Sequence, residues 1–395
     1  MRKFACVVVI VTSCLIPNFQ TPAQTSLIAT ARKIHDRVIK IDTHVDIDPE
    51  NFTNECNYTM RLRTQVNLQK MVEGDVDVVF LIVYVAQGSL TPDGYANAYQ
   101  QAIRKFDAIH RLTEQIASDK IRLALTPSDV VNLHRNGFRI AVIGVENGYP
   151  IGTDIRRVKE FFDRGARYMS LAHTRHSQLA DSNTGEVQGY LHKDGLSELG
   201  RQTVVEMNRL GMMIDLSHPS KGANLETMRL SKAPVIAAHS AVRALSNVSR
   251  NMDDEQLLAL RKNGGVIQII ALASFLDRNS TGLPAAGTLS RADGACPIEK
   301  TPDTAAAERS ASVKDLVDHI DYVVKLIGID HVGISSDFDG GGGIDGWNSA
   351  AEAFNVTLEL ARRGYTEDQI AKIWGGNLLR IWRDVEKAAR DLQSK

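Results

Sequence analysis

The sequence has no charge of one sign to spare: 46 Lys and Arg stand against 47 Asp and Glu, for a formal net charge of −1. Proteins that hold nucleic acid or an anionic membrane surface through their overall field need a basic excess, so those partners are excluded as the main theme. Proline, glycine and serine never gather into a linker, and neither a repeat period nor a low-complexity tract is visible. Long apolar runs are absent except at the start, where FACVVVIVTSCLI (4–16) follows Arg2 and Lys3. That run is short for a bilayer span. With its basic start and the small-residue region TPAQTS (21–26), it reads as an export signal cleaved near Ala23. Residues 24–395 are then one exported domain, periplasmic or secreted. A competing reading takes VTSC (11–14) as a lipoprotein box and Cys14 as a lipid anchor, although the apolar stretch before Cys14 is short for that.

Cysteine is scarce. Of four, Cys6 and Cys14 fall in the leader, leaving Cys56 and Cys296 in the body. In an exported protein such a pair makes one disulfide, and the alternative is two unrelated thiols. Both lie in long polar loops, 47–65 and 273–312, which would emerge on the same face of a barrel. A bridge is therefore geometrically open. The second loop is long for a compact domain, which suggests a lid or an oligomer contact, such as that of a homodimer.

What is present is a regular alternation. Eight apolar, β-rich runs occur: VIKIDTHVD (38–46), VDVVFLIVY (76–84), RIAVIGVE (139–146), ARYMSLAH (166–173), MMIDLSH (212–218), PVIAAHS (234–240), GVIQIIAL (265–272) and HVGISSDFD (331–339). Helical patterns of period 3.6 lie between or after them, at 95–118, 155–164, 196–210, 253–263, 313–327, 349–363 and 366–392. Strand alternating with helix means parallel strands with crossover helices. Eight such units in a chain of this length predict a (β/α)8 TIM barrel with long loops after the first and seventh strands.

Six of the eight runs end in a His, Asp or Glu: His44 and Asp46, Glu146, His173, His218, His239 and Asp337. A single histidine at a strand end is usually structural. Six of eight ends is the pattern of a site assembled at the C-terminal mouth of a barrel, because charged groups are rarely buried unless paired or metal-bound. His44 and Asp46 are two apart in a strand and share a face, so both reach one cation. Glu146 has two oxygens and can bridge two cations. His218 and His239 end adjacent strands and can share a second metal. Imidazole with carboxylate suits zinc. In GISSDFDG (333–340), Asp337 and Asp339 could face the same way, and spacing does not choose between them. Arg250, in VSRNMDD (248–254), follows the sixth strand and could clamp a carboxylate or be a solvated surface arginine.

Taken in order, IDTHVD, GVENG, MSLAHTRH, IDLSHPS, APVIAAHS, SRNMDD and GISSDFDG resemble the membrane (renal-type) dipeptidase family of the amidohydrolase superfamily. The resemblance runs over roughly 36–385 and includes WGGNLLR (374–380). It implies a binuclear zinc barrel that hydrolyses dipeptides. His44 and Asp46 would hold one zinc, His218 and His239 the other, and Glu146 would bridge. His173, Arg250 and Asp337 would contact substrate, with Asp337 moving protons and His173 facing the oxyanion. The same resemblance selects Asp337 over Asp339. Two departures bear on substrate preference: Asp42-Thr43-His44-Val45-Asp46 stands where the family often has D-G-H-N-D, and QIIALAS (268–274) lacks a tyrosine that some members place against the substrate carboxylate. The alternatives are another amidohydrolase reaction on a small amide, lactam, lactone or N-acyl amino acid, and a non-catalytic exported binding protein.

Overall fold

The computed structural model describes residues 22–278, 296, 298 and 310–394. Residues 1–21, with the expected leader and Cys14, lie outside the described residues, as does most of the stretch 279–309.

Nine strands form one parallel sheet: β1 (Ile41–Asp46), β2 (Val78–Tyr84), β3 (Ile121–Leu123), β4 (Arg139–Glu146), β5 (Ala166–Ser170), β6 (Met213–Asp215), β7 (Ile236–Ser240), β8 (Val266–Ile270) and β9 (Val332–Ser335). Eight of them run in the order β1-β2-β4-β5-β6-β7-β8-β9, and β3 pairs only with β4. The ring closes where Val45 bridges Phe338 in parallel and the Asp46 N–H donates to the Phe338 carbonyl at 2.9 Å. These eight strands are the eight apolar runs, and the (β/α)8 barrel expected from them is the fold observed.

Side chains alternate along each strand. Val78, Phe80 and Ile82 of β2 and Ile140 and Val142 of β4 pack with Tyr168, Met213, Ile236 and Val266 in one buried cluster. Leu378, Ile381, Trp382 and Val385 of the C-terminal helix Asn377–Gln393 join that cluster. The opposite faces of the same strands, including Val79, Leu81, Val83, Ala141, Ile143 and Val145, pack with residues of the surrounding helices. Tyr84 and Glu146 continue the inner faces of β2 and β4 and are register partners. The inner faces of β2 and β4 are apolar up to these C-terminal ends.

The helices depart from expectation in detail. The helix expected at 95–118 begins earlier, at Pro92, because Thr91 caps it by accepting from the Gly94 N–H. It ends at Arg111 and passes into a π turn over Leu112–Ile116. The last helix is interrupted by a second π turn, Lys372–Gly376, between Glu367–Ala371 and Asn377–Gln393. There Gly375 packs so closely on β1 that an added Cβ would lie 2.7 Å from Ile41 Cγ1. Helices Pro22–His35, Leu68–Glu73, Pro127–Arg135 and Lys221–Leu230 and the strand β3 were not anticipated. No helix among the described residues is long and apolar enough to cross a membrane.

The loop after β1 is well built. Cys56 is disulfide-bonded to Cys296 across a sequence separation of 240. Leu62 bridges Ile298 beside it. Of the two readings left open by the sequence, the bridge is the one observed, and it ties the loop after β1 to the loop after β8.

Candidate metal centre

Six strand ends bring their polar residues to one place. The centre is Glu146, at the end of β4 and 3% exposed. Its Oε1 lies 2.7 Å from His218 Nε2, 3.2 Å from His239 Nε2 and 3.5 Å from His173 Nε2. Its Oε2 lies 3.6 Å from His44 Nε2. The nitrogens of His218 and His239 face each other at 3.0 Å. His44 Nε2 is 3.8 Å from both Asp46 Oδ2 and Asp337 Oδ1. Irregular register helps to aim these side chains: β1 slips against β2 between Asp42 and Val45, and β7 slips against β8 between Ala237 and Ser240, next to His239.

The two candidate aspartates after β9 part company. Asp337 (φ +58°) turns toward His44. Asp339 (φ +62°) is held by the loop after β1: its Oδ1 and Oδ2 accept from the backbone N–H groups of Gln65 and Val66 at 2.8 and 3.4 Å, and its own N–H donates to Gln65 Oε1. A left-handed backbone at a non-glycine residue is uncommon and gathers at functional sites. Asn147, immediately after Glu146, is a third case at φ +75°.

Arg250 is buried behind β7. Its Nη1 donates to Ser240 Oγ and its Nη2 to the His239 carbonyl, both at 2.8 Å, while Nε has no partner among the described residues. It is therefore not a solvated surface arginine. Burial draws its pKa down to about 10, which still leaves a cation at neutral pH. The Arg250 guanidinium lies 5.6 Å from the ring of Phe275, in the segment after β8.

The electrostatics describe a cluster short of positive charge. Burial raises Asp337 to about 8, with Asp46 and Glu146 adding to the rise. Burial and Glu146 likewise raise Asp46 to about 6. Burial pulls His44 down, yet the carboxylates of Glu146, Asp46 and Asp337 outweigh it and lift the imidazole to about 9. For Glu146 burial pushes up, but the surrounding histidines prevail and hold it well below the usual carboxylate range.

Do these residues suit a metal ion? Donor atoms of His44, Asp46 and Glu146 lie within 4.8 Å of one another, as do those of Glu146, His173 and His218, and of His44, His239 and Asp337. His44 Nε2 and Asp46 Oδ1 are buried with no hydrogen-bond partner among the described residues. Unpaired buried polar atoms are costly and need an explanation. Nitrogen and oxygen donors left without protein partners, amid carboxylates that resist ionising together, fit a divalent cation.

The model of the membrane dipeptidase family, peptidase family M19, matches residues 28–395. The chain belongs to this family. It is 32% identical over 336 residues to a dipeptidase of Claviceps purpurea (strain 20.1), covering 84% of this chain and 72% of that one. It is 31% identical over 353 residues to a dipeptidase of Aspergillus oryzae, covering 87% and 76%. Among solved structures it resembles the probable dipeptidase PvdM from Pseudomonas aeruginosa, with TM-score 0.80, 30% identity and coverage of 92% of this chain and 100% of that one. As a member of the membrane dipeptidase family, the chain is a metallo-dipeptidase, and the strand-end cluster is its candidate metal centre.

Sequence reasoning missed several residues around that centre. Tyr84 ends the second strand run, and its ring packs 4.6 Å from that of His173. Lys105, on the helix Pro92–Arg111, lies over the Tyr84 ring at 5.6 Å and acts electrostatically on Asp46 and Glu146. Tyr168, inside the barrel, meets the other face of His44 at 2.9 Å. Gly340 sits where a Cβ would fall 2.2 Å from Asp46 Oδ2 and 2.8 Å from Asp337 Oδ1. A tyrosine closing an apolar strand run is the signal in the sequence that points to Tyr84.

Proposed function

We propose that this member of the membrane dipeptidase family is a binuclear zinc enzyme that hydrolyses dipeptides with a free C-terminal carboxylate. The observation that carries this reading is Glu146, which turns Oε1 to His218 and His239 and Oε2 to His44. One carboxylate thus serves two groups of donors. His44 and Asp46 would hold one ion, His218 and His239 the other, and Glu146 both; imidazole and carboxylate donors with an open side suit catalytic zinc. When bound, the ions supply positive charge that acidifies water near neutral pH and polarises a carbonyl.

The chain's own residues do the rest. Asp337 borders the donor cluster and takes the proton of the attacking water, then returns it to the leaving amine. His173 stands over Glu146 with its ring backed by Tyr84, and donates to the carbonyl oxygen as negative charge develops there. Arg250 holds its guanidinium through Ser240 and the His239 carbonyl, and its remaining N–H groups take the terminal carboxylate of the substrate. Substrates extended at the C-terminus lack a carboxylate at that point, which restricts cleavage to short substrates with a free C-terminus. The same proposal places the protein outside the reducing cytosol, in the periplasm or secreted, and the Cys56–Cys296 bridge supports this.

The test is hydrolysis of a dipeptide panel by protein of measured zinc content, before and after chelation and after zinc is restored. Activity that tracks two zinc ions per chain is expected. Full activity in chelated, zinc-free protein, or equal cleavage of dipeptides and their C-terminal amides, would sink the proposal.

A further inference from the structure

Of the two nitrogens on His44, one faces the carboxylate cluster and the other faces the barrel interior. The interior one, Nδ1, is 2.9 Å from the Tyr168 hydroxyl. That hydroxyl also donates to the Thr43 carbonyl at 3.1 Å. A phenol has one proton. If it goes to the carbonyl, which can only accept, the phenol oxygen is left to accept from His44, and the Nδ1 atom of His44 must carry a hydrogen. His44 Nε2 then presents a lone pair to Asp46, Glu146 and Asp337. His218 and His239 have no such device: their Nδ1 atoms are buried without a hydrogen-bond partner among the described residues.

The barrel is built to admit this phenol. Tyr168 is fully buried, packed at 5.5 Å against Phe80. Its ring crosses β4 at Gly144, where an added Cβ would lie 2.3 Å from Tyr168 Cζ and 2.7 Å from its hydroxyl oxygen. Gly144 does not adopt a positive φ, so its backbone does not demand glycine. The space for the tyrosine does.

We infer that Tyr168 is a positioning residue that fixes the tautomer and ring plane of His44, and that Gly144 is the gap through which it acts. The inference rests on the proposed role of His44 as a metal ligand. It adds that the two halves of the centre are supported unequally. Groups that orient a metal-binding histidine typically contribute about 10–100-fold to metal affinity. Without the phenol oxygen, His44 Nδ1–H is left buried and unpaired. The ring then relieves this by moving its proton to Nε2, which removes the lone pair.

The test is zinc binding to Tyr168→Phe, read by competition against a chelator of known affinity, alongside wild type, Gly144→Ala and His44→Ala. The melting temperature of each zinc-free protein is measured in parallel. Tyr168→Phe should weaken one of the two zinc ions by about 10–100-fold and leave the other unchanged. Gly144→Ala should do the same, because it displaces the same ring. A role in packing alone would lower the zinc-free melting temperature and leave both zinc affinities as in wild type. That outcome, or equal weakening of both ions, overturns the inference. His44→Ala separates the two levels: if it binds both ions as tightly as wild type, the assignment of His44 as a ligand fails. If it loses one ion while Tyr168→Phe keeps both, only the role of Tyr168 fails.

Discussion

Gly340→Ala tests the centre with a single methyl group. The backbone at Gly340 lies outside the left-handed region, so alanine is allowed on conformational grounds. What it meets are two carboxylates, Asp46 Oδ2 at 2.2 Å and Asp337 Oδ1 at 2.8 Å. A Cβ essentially never comes within 3.0 Å of another heavy atom, so Asp46 must retreat by about an ångström. Overpacking of this kind costs about 1–3 kcal/mol. The carboxylate that retreats is the one 3.8 Å from His44 Nε2, and displacing a proposed zinc ligand should weaken metal binding by at least the ~10–100-fold lost when ligands merely lose their support. Gly364→Ala is the control. Its φ is +86° with nothing within 4 Å of the added Cβ, so it should lose about 1–2 kcal/mol to backbone strain and nothing at the metal. Zinc affinity by chelator competition and the melting temperature of the zinc-free form are the two readings needed. Gly340→Ala should move both, and Gly364→Ala only the second. Wild-type zinc affinity in Gly340→Ala would refute the claim that Asp46 must stay where it is to hold the metal.

Three further outcomes follow from the same geometry. Arg250→Lys should lower kcat/KM for dipeptides by about one to two orders of magnitude, because lysine cannot reproduce the guanidinium fork, with zinc content unchanged; dipeptide amides should be poor substrates for both forms, checked by steady-state kinetics. The zinc-free protein should lose stability as pH rises from 7 to 9. Asp337, raised to about 8, and His44, raised to about 9, keep protons in the folded chain that the unfolded chain has already released, and stability falls wherever the folded state binds more protons. Thermal melts across that range should show the fall in zinc-free protein, with Asp337→Asn reducing it, and a flat response would count against both assignments. Cys296→Ser should destabilise the chain by about 2–5 kcal/mol, since the Cys56–Cys296 bridge closes a loop of 240 residues, and denaturant unfolding without reductant measures it.

The barrel was legible because its eight ring strands are apolar runs, six of them with a His, Asp or Glu at the end, and strands buried on both faces read as continuous apolar runs. β3 was not legible: Ile121–Leu123 is three residues long, and one apolar–polar–apolar step is too short to read as a strand. The π turns at Leu112–Ile116 and Lys372–Gly376 were hidden for a different reason. They answer to packing, as Gly375 does against Ile41, and a helical period in sequence runs straight through them.

The site divides along the same line. His44, Asp46, Glu146, His173, His218, His239 and Asp337 could be found because each lies within three residues of the C-terminal end of a strand, and a strand's end is a local property. Tyr168 and Gly144 could not. Both sit within strands and read as ordinary β residues, and the partners of Tyr168 are 124 and 125 residues away. Only barrel closure brings them together. Asp337 and Asp339 mark the limit of pattern reasoning most sharply. Two residues apart in a regular strand, they should share a face. Both instead take a left-handed backbone, at φ +58° and +62°, and the period-two rule lapses there. Asp337 then faces His44, and Asp339 faces the loop that begins after Asp46. The left-handed backbone that defeats the pattern is also what separates an aspartate at the candidate metal centre from one that is bonded to Gln65 and Val66 of the loop after β1.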